Sequence, residues 1–111
     1  MLLTGDIEEI AENQILEEYK NNKQTLKSTV LKVAHHGSKT SSTQSFLEKV
    51  QPKIALIGVG KNNTFGHPND GVLERLKNLN IKIYRTDTMG EIVLEINKKG
   101  KIKFKKLVYF N

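Results

Sequence analysis

From Ile7 onward the apolar positions fall at Ile7, Ile10, Ala11, Ile15, Leu16 and Tyr19. That three-to-four spacing makes one helical face, with glutamates on the other. Met1–Leu3 before it reads as the end of a strand that closes at "TGD", and Asp6 stands at the expected helix N-cap. The polar stretch "NNKQT" ends the helix. Val30–Ala34 is a short strand rich in β-branched residues, and it leads into "HHGSKT". "SSTQSFLEKV" predicts a second helix, with Ser41 and Gln44 at capping-box spacing and Phe46, Leu47 and Val50 on its apolar face; Pro52 stops it.

The run 53–59, "KIALIGV", is nearly continuous in apolar residues, the mark of a strand buried on both faces. A loop, "GKNNTFGHPN", leads to a helix in "DGVLERLKNL" with Val72, Leu73, Leu76 and Leu79 inward. Residues 81–86 predict a strand, "DTMG" a turn, 91–96 a strand, and "NKKG" a hairpin turn into the lysine-rich terminal strand of 98–111. That last strand begins with alternation, Lys101, Lys103 and Lys105 on one face and Ile102 and Phe104 on the other. The order β-α-β-α-β-α-β-β-β predicts an α/β fold, a mixed sheet ending in an antiparallel meander. We find no internal repeat and no low-complexity segment, so residues 1–111 read as one domain or half of a larger one.

Composition narrows the chemistry. With no cysteine, disulfides, thiolate metal sites and a cysteine nucleophile are excluded, so a transition-metal site must use histidine and carboxylate. No apolar run approaches the length of a membrane helix, and the N-terminus lacks the basic region of a signal peptide, so the chain is expected to be soluble. It begins inside a strand, as a fragment would. The net charge of +6 is unevenly spread: residues 6–18 hold six acids and no base, residues 98–106 six lysines and no acid. Such a basic strand would attract a polyanion such as nucleic acid in a salt-sensitive way, or be an edge strand protected by lysine.

Three loops follow strands and precede helices: "TGD", "HHGSKT" and "GKNNTFGHP". In an open α/β sheet such loops gather at one rim, which would bring Asp6, His35, His36 and His67 together. Imidazole and carboxylate suit zinc or manganese. Ser38, Thr40 and Ser41, ahead of a helix N-terminus, would suit a phosphate, with Gly37 for close backbone approach and Lys39 and Lys61 for charge. Taken singly, each residue has a plainer reading: Asp6 as a helix cap, the histidine pair as loop residues bonded to carbonyls, His67 as a turn residue before Pro68. There is no Gly-x-Ser-x-Gly elbow, no phosphate-binding loop and no dinucleotide fingerprint.

"LLTGD", "LKVAHHGSKTSS", "FLEKVQPKIALIGVGKNNTFGHP", "VLERLKN" and "IKIYRTDTMGEIVLEI" together resemble the C-terminal part of the metallo-β-lactamase-like domain of ComEC-type DNA-uptake competence proteins. The resemblance runs from residue 2 to about residue 97. It implies half of a four-layer αββα sandwich with helices on one face of the sheet. The implied activity is metal-dependent phosphodiester hydrolysis, a nuclease acting on DNA during uptake, with two divalent metals (zinc or manganese) in the complete domain.

By that resemblance Asp6 and His36 are metal ligands, with Asp6 bridging. His35 faces substrate phosphate or the water on the metal, and His67 is a second-shell or substrate-binding residue. The family's His-x-His-x-Asp-His cluster belongs to an N-terminal half that this chain lacks. The expectation is therefore an inactive piece that holds no metal by itself and pairs with the missing half, or as a homodimer through the exposed sheet face. The parent would be a bacterial membrane protein with this domain on the extracytoplasmic side. The alternative from another class is a nucleic-acid-binding or assembly module that uses the basic terminal strand and no metal.

Overall fold

The computed structural model describes residues 1–20, 26–60 and 66–107. Along the chain run β1 (Leu2–Leu3), α1 (Glu9–Tyr19), β2 (Val30–Lys32), a tight 3-10 turn (Ala34–Gly37), α2 (Gln44–Val50), β3 (Ile54–Ile57), α3 (Asp70–Asn78), β4 (Lys82–Arg85), α4 (Thr86–Met89), β5 (Glu91–Ile96) and β6 (Ile102–Leu107). The segment "NNKQT" and Lys61 lie outside the described residues.

β1 to β4 form a parallel sheet in the order β1-β2-β3-β4. Right-handed crossovers that all step in one direction put their helices on the same face. The packing agrees. Leu31, Ala55 and Ile57 of the sheet share one buried cluster with Phe46, Leu47 and Val50 of α2 and Val72 and Leu76 of α3, and Ile15, Leu16 and Tyr19 of α1 pack against it. Side chains alternate along a strand, so the register sets Leu3, Lys32, Leu56 and Tyr84 on the opposite face, next to Ile54 and Lys82. Leu3 is 71% exposed there. The Lys82 ammonium lies 5.4 Å from the Tyr84 ring centroid, so this face is less uniformly apolar than the run 53–59 suggests.

One mixed sheet is not what forms. β5 and β6 pair antiparallel as a separate two-stranded sheet. "DTMG" is the reason: it coils into the single helical turn α4, closed by Gly90 N–H donating to the Thr86 carbonyl, and separates β4 from β5. The hairpin turn is as expected, with Asn97 Oδ1 accepting from the amides of Lys99 and Lys101.

Helix starts differ most from the sequence reading. α1 begins at Glu9 after an N-cap of Glu8 that makes no side-chain cap, so Asp6 lies before the cap rather than at it. Ile10, expected inward, is 76% exposed, while Glu12, expected outward, is 0% exposed. α2 is capped by Thr43, whose side chain accepts from the Phe46 amide, and not by Ser41. The Ser41 hydroxyl donates to the Ile7 carbonyl instead.

Candidate functional site

All four parallel strands deliver their C-terminal ends to one rim. There they carry Asp6 (after β1), His35–Gly37 (after β2), Gly58 (after β3) and Thr86 (after β4). The segment ahead of α3 brings His67 and Pro68 to the same rim. The β1 and β2 loops are tied directly, since the His35 amide donates to the Gly5 carbonyl at 2.8 Å. Asp6 is exposed at that junction.

The "HHG" turn is unusual in its backbone. His35 (φ 51°), His36 (φ 55°) and Gly37 (φ 82°) are all in the left-handed region, which costs a non-glycine residue about 1–2 kcal/mol. Three outside contacts hold the turn in place. The first is the His35 amide bond just given. The second is the Asn69 amide donating to the Gly37 carbonyl at 2.9 Å. The third is steric: a Cβ on Gly37 would lie 2.6 Å from Pro68 Cβ, so only glycine lets the two loops meet. The His67–Pro68 peptide is cis.

This interlock gathers the chain's three histidines. Ring centroids are 5.7 Å apart for His35 and His67, 6.3 Å for His36 and His67, and 6.4 Å for His35 and His36. His36 Nδ1 lies 2.6 Å from the Gly58 carbonyl oxygen. A carbonyl only accepts, so a proton sits on Nδ1, and in the neutral ring Nε2 keeps its lone pair. His35 Nδ1 is buried without a hydrogen-bond partner, and Glu8 Oε1 is 3.7 Å away.

The donor set fits part of a metal centre. A histidine whose Nδ1–H is held by a backbone carbonyl is the usual state of a metal-ligating imidazole. His35 Nδ1 instead faces the Glu8 carboxylate, beyond hydrogen-bond distance. Yet among the described residues no three histidine, aspartate or glutamate side chains stand where they could hold an ion on their own. His36 and Asp6, the ligands that the resemblance implies, would need further donors from outside the described residues to complete a set.

The expected phosphate-binding residues have divided surroundings. Ser38 is buried, with its hydroxyl 3.0 Å from Thr40 Oγ1 and accepting from the Thr40 amide. Gly37 is buried against Pro68, while Lys39 and Thr40 are exposed. Lys39 and Thr40 line a shallow depression with Glu8, Glu9 and Ile10, so its charge is mixed. The N-terminus of α2 already has an anion. Both Glu12 carboxylate oxygens accept from it, one from the Ser42 amide and one from the Thr43 amide. On the other side, Arg75 donates to the carbonyls of Ser41 and Ser42.

Glu12 and Thr86 were missed by sequence reading. Glu12 occupies an ordinary acidic position on a helix, and its partners lie 30 and 31 residues ahead. Thr86 reads from sequence as the last residue of the strand 81–86, whereas it opens the helical turn α4. Its hydroxyl accepts from the Val59 amide at 2.8 Å and lies 2.9 Å from the Val59 carbonyl. Arg85 and Asp87 flank it and form a two-pronged pair, at 3.0 Å and 2.7 Å, that raises the Arg85 pKa above its ordinary value against a smaller desolvation effect.

No family model matches the chain. It is 43% identical over 91 residues to ComE operon protein 3 of Bacillus subtilis (strain 168). It is 38% identical over 93 residues to Recombination protein 2 of Haemophilus influenzae and 36% identical over 100 residues to Competence protein ComA of Neisseria gonorrhoeae. These matches take in 82%, 83% and 90% of this chain but only 11%, 11% and 14% of those proteins. Over most of its length, then, the chain is homologous to one segment of much longer proteins, one of them named for competence and another for recombination.

Proposed function

We propose that this chain is the C-terminal part of a metallo-β-lactamase-like hydrolase domain, working in DNA uptake as a metal-dependent phosphodiesterase or nuclease. The observation that carries the reading is the convergence of three histidines from two loops on the rim that also bears Asp6, with His36 Nδ1 held by a carbonyl. The names of the relatives, one for competence and one for recombination, support the biological setting. In this reading Asp6 and His36 are the ligands that this half contributes. The metals, when bound, polarise the phosphoryl oxygens and make water acidic enough to attack.

The chain's own residues do the rest. The Gly58 carbonyl keeps His36 in one tautomer. His35, backed by Glu8, faces the substrate, and His67 orders the pair from the neighbouring loop. Lys39 and Thr40 are the exposed groups that meet a phosphate. Partners are DNA and the N-terminal half of the domain, which covers the sheet face of Leu3, Ile54, Leu56 and Tyr84. A second copy covers it when the chain stands alone. The whole protein resides in a bacterial membrane with this domain on the extracytoplasmic side.

The test uses both the complete protein and the 111-residue chain. In the complete protein, Asp6→Ala and His36→Ala abolish metal-dependent DNA cleavage and leave the circular dichroism spectrum unchanged. The chain alone retains well under one zinc per molecule after dialysis. Cleavage that survives His36→Ala, or tight stoichiometric zinc in the chain, overturns the reading. A second reading is favoured by the exposure of Lys98, Lys99, Lys101 and Lys103 along the β5–β6 hairpin. Salt-sensitive DNA binding that is indifferent to both substitutions would assign the chain to that non-catalytic class instead.

A further inference from the structure

We infer that Thr86 is a positioning residue for His36, acting through the single peptide unit that joins Gly58 to Val59. The carbonyl of that unit accepts from His36 Nδ1, and its N–H donates to Thr86 Oγ1. A peptide unit is planar and rigid, so its two ends cannot turn independently. Fixing the N–H end fixes the direction of the carbonyl, and the carbonyl's direction selects which nitrogen of His36 carries the proton.

The anchor at the Thr86 end is itself held. The hydroxyl receives the Val59 N–H and has the Val59 carbonyl at 2.9 Å for its own proton, closing a small ring around Val59. Threonine's branched Cβ restricts the side-chain rotation that would swing this hydroxyl away. Arg85 and Asp87, whose side chains are 27% and 10% exposed, pair across Thr86 and fix the backbone that carries it. Val59 is 9% exposed, so water is a poor substitute for the hydroxyl. The end of β4 thus governs a side chain that lies beyond β2, two strands away in the sheet.

The consequence for metal binding rests on the reading of His36 as a ligand. The test does not, because it is made on the metal-free chain. Long-range proton–nitrogen NMR at about pH 8.5 reads the tautomer of the neutral ring, and amide exchange reads Val59. The unmodified chain shows His36 protonated on Nδ1 and a slowly exchanging Val59 amide. Thr86→Val keeps the shape and removes the hydroxyl. It moves His36 toward the Nε2–H form and speeds Val59 exchange about tenfold. Thr86→Ser restores both.

An unchanged tautomer in folded Thr86→Val, or a Thr86→Ser variant as altered as Thr86→Val, overturns the inference. So does fast Val59 exchange or an Nε2–H ring in the unmodified chain, a measurement that stands even where Thr86→Val fails to fold.

Discussion

Glu12 puts a charged group in a fully buried place and meets both of its oxygens with amide hydrogens. Burying a carboxylate is costly unless such bonds replace water. The positive end of α2's first turn and the Arg75 guanidinium on the far side of the Ser41–Ser42 segment both favour the negative charge. Glu12→Ala strands the buried Ser42 N–H and the partly buried Thr43 N–H, so we expect a loss of about 2–4 kcal/mol in urea unfolding. Glu12→Gln, which keeps one acceptor, should lose less. Such a role is invisible in sequence because its partners come from a loop on another strand's end. Asp6 illustrates the converse error: an aspartate ahead of a helix invites the role of cap, and only the actual start of α1 at Glu9 removes it.

At the scale of elements, the apolar spacing was a sound guide to what forms and a poor one to where it starts. β5 runs over the expected residues, Glu91–Ile96, because it is a regular strand bounded by two glycine turns. The parallel strands are shorter than their apolar runs, since those runs continue into the rim loops that hold Val33, Ala34 and Val59 in the buried core. α4 escaped notice because one helical turn has no periodicity to read. The gathering of the histidine loops was legible from strand-end placement alone, whereas their interlock through Gly37 and Pro68 was not. That interlock makes a firm expectation. Gly37→Ala must bear both a left-handed backbone and a clash with Pro68. It should lower stability by more than about 1–2 kcal/mol in thermal unfolding. It should also separate His67 from the pair, seen as changed ring-to-ring NMR contacts.

At the scale of the molecule, the sheet has one face packed with helices and another bearing Leu3, Ile54, Leu56 and Tyr84 between two lysines. The proposed reading has the chain alone associate through that face, so light scattering at tens of micromolar should report a dimer. Leu56→Lys, which sets a third lysine among them, should return it to a monomer without unfolding it. A dimer that persists in Leu56→Lys would place the contact elsewhere.

The spatial order of the parallel strands repeats their order along the chain, and this bears on how the molecule is made. A growing chain leaves the ribosome from its N-terminus, so each strand can dock on the one before it as it emerges. All three histidines are synthesised well before residue 86. A nascent chain stopped at β3 would contain the "HHG" residues and the Gly58 carbonyl, but not the Thr86 hydroxyl that accepts from the Val59 amide. On the positioning role inferred for Thr86, the rim acquires its final geometry only when β4 and the turn after it arrive, so protein synthesis itself would delay the site until the sheet beneath it is complete.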